Sequence, residues 1–243
     1  NNGGFSLFPN SLMSFADHYL ITLTISMLYI IGGIGFVVLM DIKRNHRWKK
    51  LSTNSKLILS TIAGLNLAAF IVIWILEANN PLTLSSMSVG DQALNAWFHA
   101  TVPRSAGFNS LDVSSMTDAS TLVTMILMFI GGGSLSTAGG IKVGTFIIVV
   151  LSVITFLRRS EELRIFNHSV PKTTSFKALA VVSITAILIF LGFFALLILE
   201  PEKDFLDLLF EAVSAACTVG LSRGVTSELQ PASLIALILL MFA

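Results

Sequence analysis

The chain has 243 residues, of which 54% are hydrophobic and 12% charged, with a formal net charge of +1 and a mean hydropathy of +0.83. Soluble domains carry about 45–50% apolar and about 25% charged residues, so a soluble globular domain is excluded and a polytopic membrane protein is indicated. The single cysteine, Cys217, excludes an internal disulfide framework.

The chain opens NNGGFS, without an initiator Met, and closes LILLMFA inside an apolar run. This reads as a piece cut within membrane segments at both ends, with no signal peptide. Residues 20–40 form a first apolar run of spanning length, since a hydrocarbon core takes about 20 helical residues. Inside it IGGIGF, residues 31–36, imitates a dinucleotide fingerprint but lies within a span, where it reads as a helix-packing face. Lys43, Arg44, Arg47, Lys49, Lys50 and Lys56 fill the next loop. Residues 57–76 make a second span, in which Asn66 reads as a satisfied interhelical hydrogen bond.

Residues 91–102 then form a short, moderately apolar helix that Asp91 is placed to cap. It is too short to cross. The polar stretch TVPRSAGFNS, residues 101–110, follows it. Residues 122–130 and 141–157 are apolar pieces separated by glycines, and they read as one broken crossing. Arg158, Arg159, Arg164, Lys172 and Lys177 occupy the loop beyond, and residues 178–199 are a further span. A second short helix, 204–216, with Asp204 at its cap, leads into CTVGLSRG, and residues 232–243 are apolar to the end.

Both basic loops are cytoplasmic by the positive-inside rule. The opposite loops hold Glu77, Asp91, Asp112, Asp118, Glu200, Glu202 and Asp204 and almost no Lys or Arg. The chain is therefore outside near residue 15, inside near 43, outside near 78, inside near 158 and outside near 200.

Three loop sequences are alike: NNGGFS, RSAGFNS and CTVGLSRG. In each a glycine (Gly4, Gly107, Gly220) sits between a small or β-branched residue and a large apolar one. Each interval repeats the programme of span in, basic loop, span out, short helix, glycine loop, which marks an internal structural repeat. Non-helical backbone is tolerated at membrane depth only where it is buried in protein or lines water. A short helix entering from outside and returning as such a loop is a re-entrant pore loop. Several of them converging give a ring of carbonyls able to replace the hydration shell of an alkali cation.

The break in the third crossing, MFIGGGSLSTAGGIKVGTF, concentrates glycines and hydroxyls at mid-membrane. It reads as a loop across the conduction path, a gate, against the alternative of a close-packed helix crossing. It is not a phosphate-binding loop, because Lys142 is followed by Val143 and no strand precedes it. Lys142 either places charge near the path or snorkels. Arg104 and Arg223 are read as bonding loop carbonyls and carboxylates such as Glu211. His18, His46, His99 and His168 lack metal-ligand spacing and read as interfacial or loop residues, and Cys217 as a small buried residue.

The stretches NNGGFSLFPNSLMSF, IGGIGFVVL, TVPRSAGFNSLDVSSM, LMFIGGGSLSTAGGIKVGTF and FEAVSAACTVGLSRGVT together resemble the Trk/Ktr/HKT potassium transporters, and among them the bacterial KtrB-type membrane subunits. The resemblance implies an all-α polytopic membrane protein of helix–pore loop–helix units, pseudo-fourfold around one pore. This chain would hold about two and a half repeats: residues 1–50 the filter strand and inner helix of the second, 51–171 the third with its broken inner helix, and 172–243 the fourth.

The filter carries over to Asn2, Gly3, Gly4, Ser105, Ala106, Gly107, Thr218, Val219 and Gly220, holding K+ by backbone carbonyls. The gate carries over to Gly131, Gly132, Gly133, Ser134, Ser136, Thr137, Gly139, Gly140 and Lys142. Gly3, where an alanine is usual, and Cys217, where another small residue is usual, are departures that bear on the filter. The resemblance further implies a homodimer in the cell membrane. A cytosolic RCK-type regulatory ring would dock near residues 43–50 and 158–172, with nucleotide bound on that ring only.

Membrane lipid is the surrounding partner, and no nucleic-acid partner is expected. The function expected is potassium uptake through a gated carbonyl filter, with Na+- or H+-coupled potassium symport as the alternative. An enzyme is not expected, since neither HExxH nor paired intramembrane Asp is present.

Overall fold

In the computed structural model, which describes residues 6–8, 10–104, 106–160, 163–165 and 168–242, the chain is an all-α membrane fold. Helix α1 (Tyr19–Ile34) runs into α2 (Phe36–Arg44), and the pair is bent by 93°. The span expected over residues 20–40 is thus not one straight helix, while IGGIGF does pack closely, Gly33 O accepting the Gly133 N–H at 2.7 Å. Gly35 sits between the two helices at φ +97°, a conformation that glycine adopts without a Cβ penalty.

Helix α3 (Thr53–Glu77) starts where the Ser52 hydroxyl accepts the Ser55 N–H at 3.2 Å. It is long and apolar enough to cross a membrane. Helix α4 (Val89–Thr101) is too short to cross. Its cap is Ser88, whose hydroxyl accepts the Asp91 N–H at 3.3 Å, so Asp91 is not the cap expected from the sequence. Asp91 lies instead in the first turn, where a carboxylate favours the helix dipole.

Helices α5 (Asp118–Phe129) and α6 (Val143–Leu157) flank the glycine-rich stretch expected to break one crossing. A short antiparallel hairpin, β1 (Leu163–Ile165) with β2 (His168–Val170), occupies the basic loop beyond α6. Helix α7 (Lys172–Leu199) is the second full-length crossing. Helix α8 (Phe205–Ala216) is capped by Asp204, which accepts the Leu206 N–H at 2.8 Å. Helix α9 (Pro231–Met241) has proline in its first turn, where the missing N–H has no intrahelical partner to lose.

The largest buried cluster gathers around the two short helices. It joins Tyr29 of α1, Ile73 of α3, Phe98 of α4, Met128 of α5, Ile189 of α7 and Phe210 of α8. The outer faces of α3 and α7 leave large apolar side chains such as Ile75 and Phe190 exposed. Lipid solvates such faces as well as protein does, so close packing and polar links hold the helices together. Gly192 is one packing point, since a Cβ there would lie 2.6 Å from Leu240 of α9.

Two buried carboxylates repeat one device. Glu77, the last residue of α3, accepts the Thr117 N–H at 2.9 Å and the Thr117 hydroxyl at 2.8 Å. It also accepts Asn80 at 2.8 Å and the Thr83 hydroxyl at 2.6 Å. Thr117 is the cap of α5. Glu200, just past α7, accepts the Gln230 N–H and the Ser233 hydroxyl, both at 2.7 Å, and Gln230 is the cap of α9. In both halves, then, a glutamate ending the long helix fixes the start of the next one.

Glu77→Gln puts an amide donor among four donors. Since hydrogen bonds to a charged group contribute about 1.5–3 kcal/mol each, the variant is expected to lose about 2–4 kcal/mol. A lower temperature of aggregation for the detergent-purified full-length protein is the readout; an unaltered temperature contradicts the clamp. The Gln230 N–H and the Ser233 hydroxyl hold the Glu200 carboxyl below its ordinary range. A carboxyl depressed in the folded state contributes stability above its unfolded pKa and loses it as pH falls through the folded value. Thermal stability followed downward from neutral pH is expected to fall more steeply in wild type than in Glu200→Gln. Parallel acid profiles would remove Glu200 from the account.

Candidate functional site

Each short helix delivers the chain into a non-helical loop. After α4 the Ala106 N–H donates to Val102 O at 3.1 Å, and Gly107 takes φ +73°. The Ala106 side chain is buried in the main core. His99 is buried too, and its Nε2 accepts the Leu111 N–H at 3.1 Å. It is a core residue that holds the outgoing chain, not the interfacial one expected. Ser11 and Leu12 join the same turn: the Asn109 N–H donates to the Ser11 hydroxyl at 3.1 Å, and the Leu12 N–H to Asn109 O at 3.0 Å. Asn2, Gly3, Gly4 and Ser105 lie outside the described residues.

After α8 the second loop shows a regular alternation. Cys217, Val219 and Leu221 are buried, whereas Thr218 and Gly220 are exposed. Thr218 and Gly220 have φ +49° and +88°. The Val219 N–H returns to Ser214 O at 2.9 Å, and the Ser214 hydroxyl donates to Leu221 O at 2.6 Å. Cys217 is a buried free thiol, as expected. Glu211 accepts the Ser222 hydroxyl at 2.6 Å, the Arg223 N–H at 3.1 Å and the Thr226 hydroxyl at 2.7 Å.

Arg223 bonds loop carbonyls and a carboxylate as expected, reaching Val113 O and Ser114 O at 3.4 Å each. The Arg223 guanidinium pairs with Asp207 at 2.5 Å, while Glu211 takes its backbone N–H. The same side chain reaches Thr121 of α5 at 2.6 Å and so braces the second loop against the neighbouring unit. Arg104 is buried, and its Nε and Nη1 find no partner among the described residues. Asn66 is also buried with its Oδ1 unpartnered among the described residues, contrary to the expected interhelical bond.

The break between α5 and α6 is an ordered crossing with pinned ends. Ile130 and Ile141 form a parallel bridge, with the Gly131 N–H on Ile141 O at 2.9 Å and the Ile141 N–H on Phe129 O at 3.0 Å. The Val143 N–H donates to Gly132 O at 2.9 Å. On one side the loop docks on the bend of α1 and α2, through Gly133 N–H to Gly33 O at 2.7 Å and Phe36 N–H to Leu135 O at 3.2 Å. A Cβ on Gly35 would collide with Ser134 O. On the other side Gly139 touches the second loop, where a Cβ would collide with Thr218 Oγ1 and Cys217 O.

Ser134, Leu135 and Thr137 form the exposed tip, Ser136 and Gly140 are half-buried, and Leu135 takes φ +56°. The half-buried Lys142 ammonium donates to Ala138 O of the same loop. No group of three His, Cys, Asp or Glu is placed to hold a metal among the described residues.

The profile of the family TrkH, cation transport protein, matches residues 1–243. The chain belongs to this family of cation transporters. Within the Trk/Ktr group, Ktr system potassium uptake protein B of Bacillus subtilis (strain 168) is 46% identical over 242 residues, covering 100% of this chain and 54% of the relative. The protein of the same name from Vibrio alginolyticus is 39% identical, covering 94% of this chain and 50% of the relative. Potassium/sodium uptake protein NtpJ of Enterococcus hirae is 34% identical, covering 99% and 54%.

The crystal structure of the potassium transporter TrkH from Vibrio parahaemolyticus superposes with a TM-score of 0.82 at 19% identity, over 99% of this chain and 52% of that one. The Trk/Ktr chain described here therefore spans about half the length of the curated relatives it matches. It is a multi-pass membrane protein of a family of transporters, not enzymes.

Proposed function

We propose that the full-length protein containing this chain takes up potassium through a pore whose filter is built from backbone carbonyls. The observation that carries this reading is the sign alternation of φ from Thr218 to Gly220, with Val219 buried between them. In a regular strand successive carbonyls point opposite ways. A left-handed residue at every second position turns them toward one side, which is what a cation needs in place of water. Gly107 has the same hand at the corresponding place in the preceding loop.

On this reading the filter comprises Asn2, Gly3, Gly4, Ser105, Ala106, Gly107, Thr218, Val219 and Gly220. The division into repeats at residues 1–50, 51–171 and 172–243 is supported by the paired clamps of Glu77 and Glu200. The crossing loop, residues 131–142, serves as the gate, supported by its position between the Gly35 bend and Thr218. Uptake runs down the membrane potential, which supplies about 2.3 kcal/mol per charge per 100 mV. A cytosolic RCK-type ring binding nucleotide regulates the gate from the basic inner loops, and the protein is a homodimer. The Ktr system names of the relatives support a multi-component assembly.

Coupled symport is the second reading, favoured by the potassium/sodium name of the Enterococcus relative. The test is growth and rubidium uptake at low potassium in cells lacking their own potassium uptake, with the full-length protein and its regulator expressed. Rescue without added sodium supports the channel-like reading. Rescue that requires sodium, or varies with external pH, selects symport. No rescue despite membrane expression counts against both.

A further inference from the structure

We propose that the groove between α6 and α7 at the cytoplasmic boundary is a binding site for an anionic phospholipid. The cavity has a volume of about 730 Å³ and is lined by Val149, Val153 and Phe156 of α6, Leu163 of the hairpin, and Phe176 and Leu179 of α7. That volume lies within the usual range for small-molecule sites, about 300–1,000 Å³.

From Leu157 back to Val149, and from Lys172 on to Leu179, the helices rise about 10–12 Å from the boundary. The groove thus enters the apolar layer from its inner edge. It opens sideways, because Phe156, Phe176 and Leu179 are 80%, 71% and 52% exposed. An acyl chain reaches such an opening from within the bilayer.

Charge at the mouth selects the headgroup. Lys172 lines the cavity, and Arg158 and Arg159 directly follow α6. None of the three has an ion-pair partner among the described residues. By sequence, residues 158–177 carry five Lys or Arg against two Glu, a net positive segment. Basic pockets between membrane helices on the cytoplasmic side suit anionic headgroups. A water-soluble partner can cover the basic rim, but the apolar wall lies at membrane depth beyond its reach. The exposed Ser169 hydroxyl of the groove can donate to a lipid ester carbonyl.

The test uses the full-length protein purified in neutral detergent and titrated with phosphatidylglycerol or phosphatidylcholine. Adducts are counted by native mass spectrometry. A saturable phosphatidylglycerol adduct on each subunit, preferred about tenfold over phosphatidylcholine, is expected. Arg158→Ala with Lys172→Ala should bring the preference near unity. Val153→Trp, which fills the groove and keeps the charges, should remove the adduct. Variants are compared only after eluting with the wild-type size.

Equal retention of the two lipids, or a preference unmoved by both variants, overturns the site. Displacement of the adduct by glycerophosphate alone means that the rim reads a free phosphate and the groove takes no acyl chain, which also overturns it. If the intact protein retains no preferred lipid, the groove is filled by protein, from the remainder of the chain or a second copy. These outcomes are independent of rubidium uptake, so they do not depend on the transport reading.

Discussion

Gly107→Ser in the full-length protein is expected to lower the potassium-over-sodium permeability ratio about tenfold. Gly107 has φ +73°, and its chain neighbour Ala106 is locked into the core. A residue with a Cβ in this region costs about 1–2 kcal/mol. The buried side cannot yield, since Ala106 is fully buried in the main core, so the strain is released on the open side of the loop. A displacement worth about 1.4 kcal/mol between two ions is a factor of about ten in their ratio.

Gly220→Ser, at φ +88°, should act in the same direction. Gly224 supplies the control: it has φ +91° with nothing near its Cβ position, and it lies beyond the loop. Gly224→Ser carries the same backbone strain and should leave the ratio intact. Reversal potentials in mixed potassium and sodium decide the matter. A ratio that holds in Gly107→Ser and Gly220→Ser, or falls equally in all three, removes these loops from selectivity.

Much of this was legible because membrane physics writes itself into sequence. The apolar runs and basic loops marked the long helices α3 and α7. Asp204 was readable as a cap. Asp91 was misread because Ser88, three residues earlier, competes for the same role with a shorter side chain.

The Gly35 bend was hidden, since residues 20–40 have the length and hydropathy of one span and the loop that packs on Gly35 lies about 100 residues away. Glu77 and Glu200 looked like loop charges. The signal that each ends a long apolar run ahead of a Thr or Gln cap was present, but the contacts span 40 and 30 residues. His99 was hidden similarly: only the fold brings the Leu111 N–H to a histidine inside a short helix. Arg223 was readable as a residue bonding carboxylates and loop carbonyls; which acid of α8 takes its guanidinium, Asp207 or Glu211 one turn on, the sequence cannot rank.

Shortening the crossing loop by deleting residues 134–138 is expected to raise rubidium influx about tenfold at matched expression. The loop is pinned at its base by the Ile130–Ile141 bridge and the Val143 N–H to Gly132 O bond, and the deletion keeps these residues. What it removes is the tip between two docks, the Gly35 bend and the Cys217–Thr218 backbone. Each dock is a close backbone approach, so on the proposed gate reading the loop closes the path from one position and its removal acts as a step. Couplings between such states are typically about 1–3 kcal/mol, or about 5- to 150-fold.

Gly35→Ala tests the same dock from the other side, because the added Cβ would collide with Ser134 O while the loop keeps its full length. Faster influx in both variants, with an unchanged potassium-over-sodium ratio, separates the gate from the filter. A changed ratio would mean that the Gly139 contact props up the Thr218 backbone, making the loop part of the filter's support. Influx that is unchanged or lower with normal membrane expression would mean that the crossing is a fixed helix junction, and the small residues of the loop would then be explained by close packing alone.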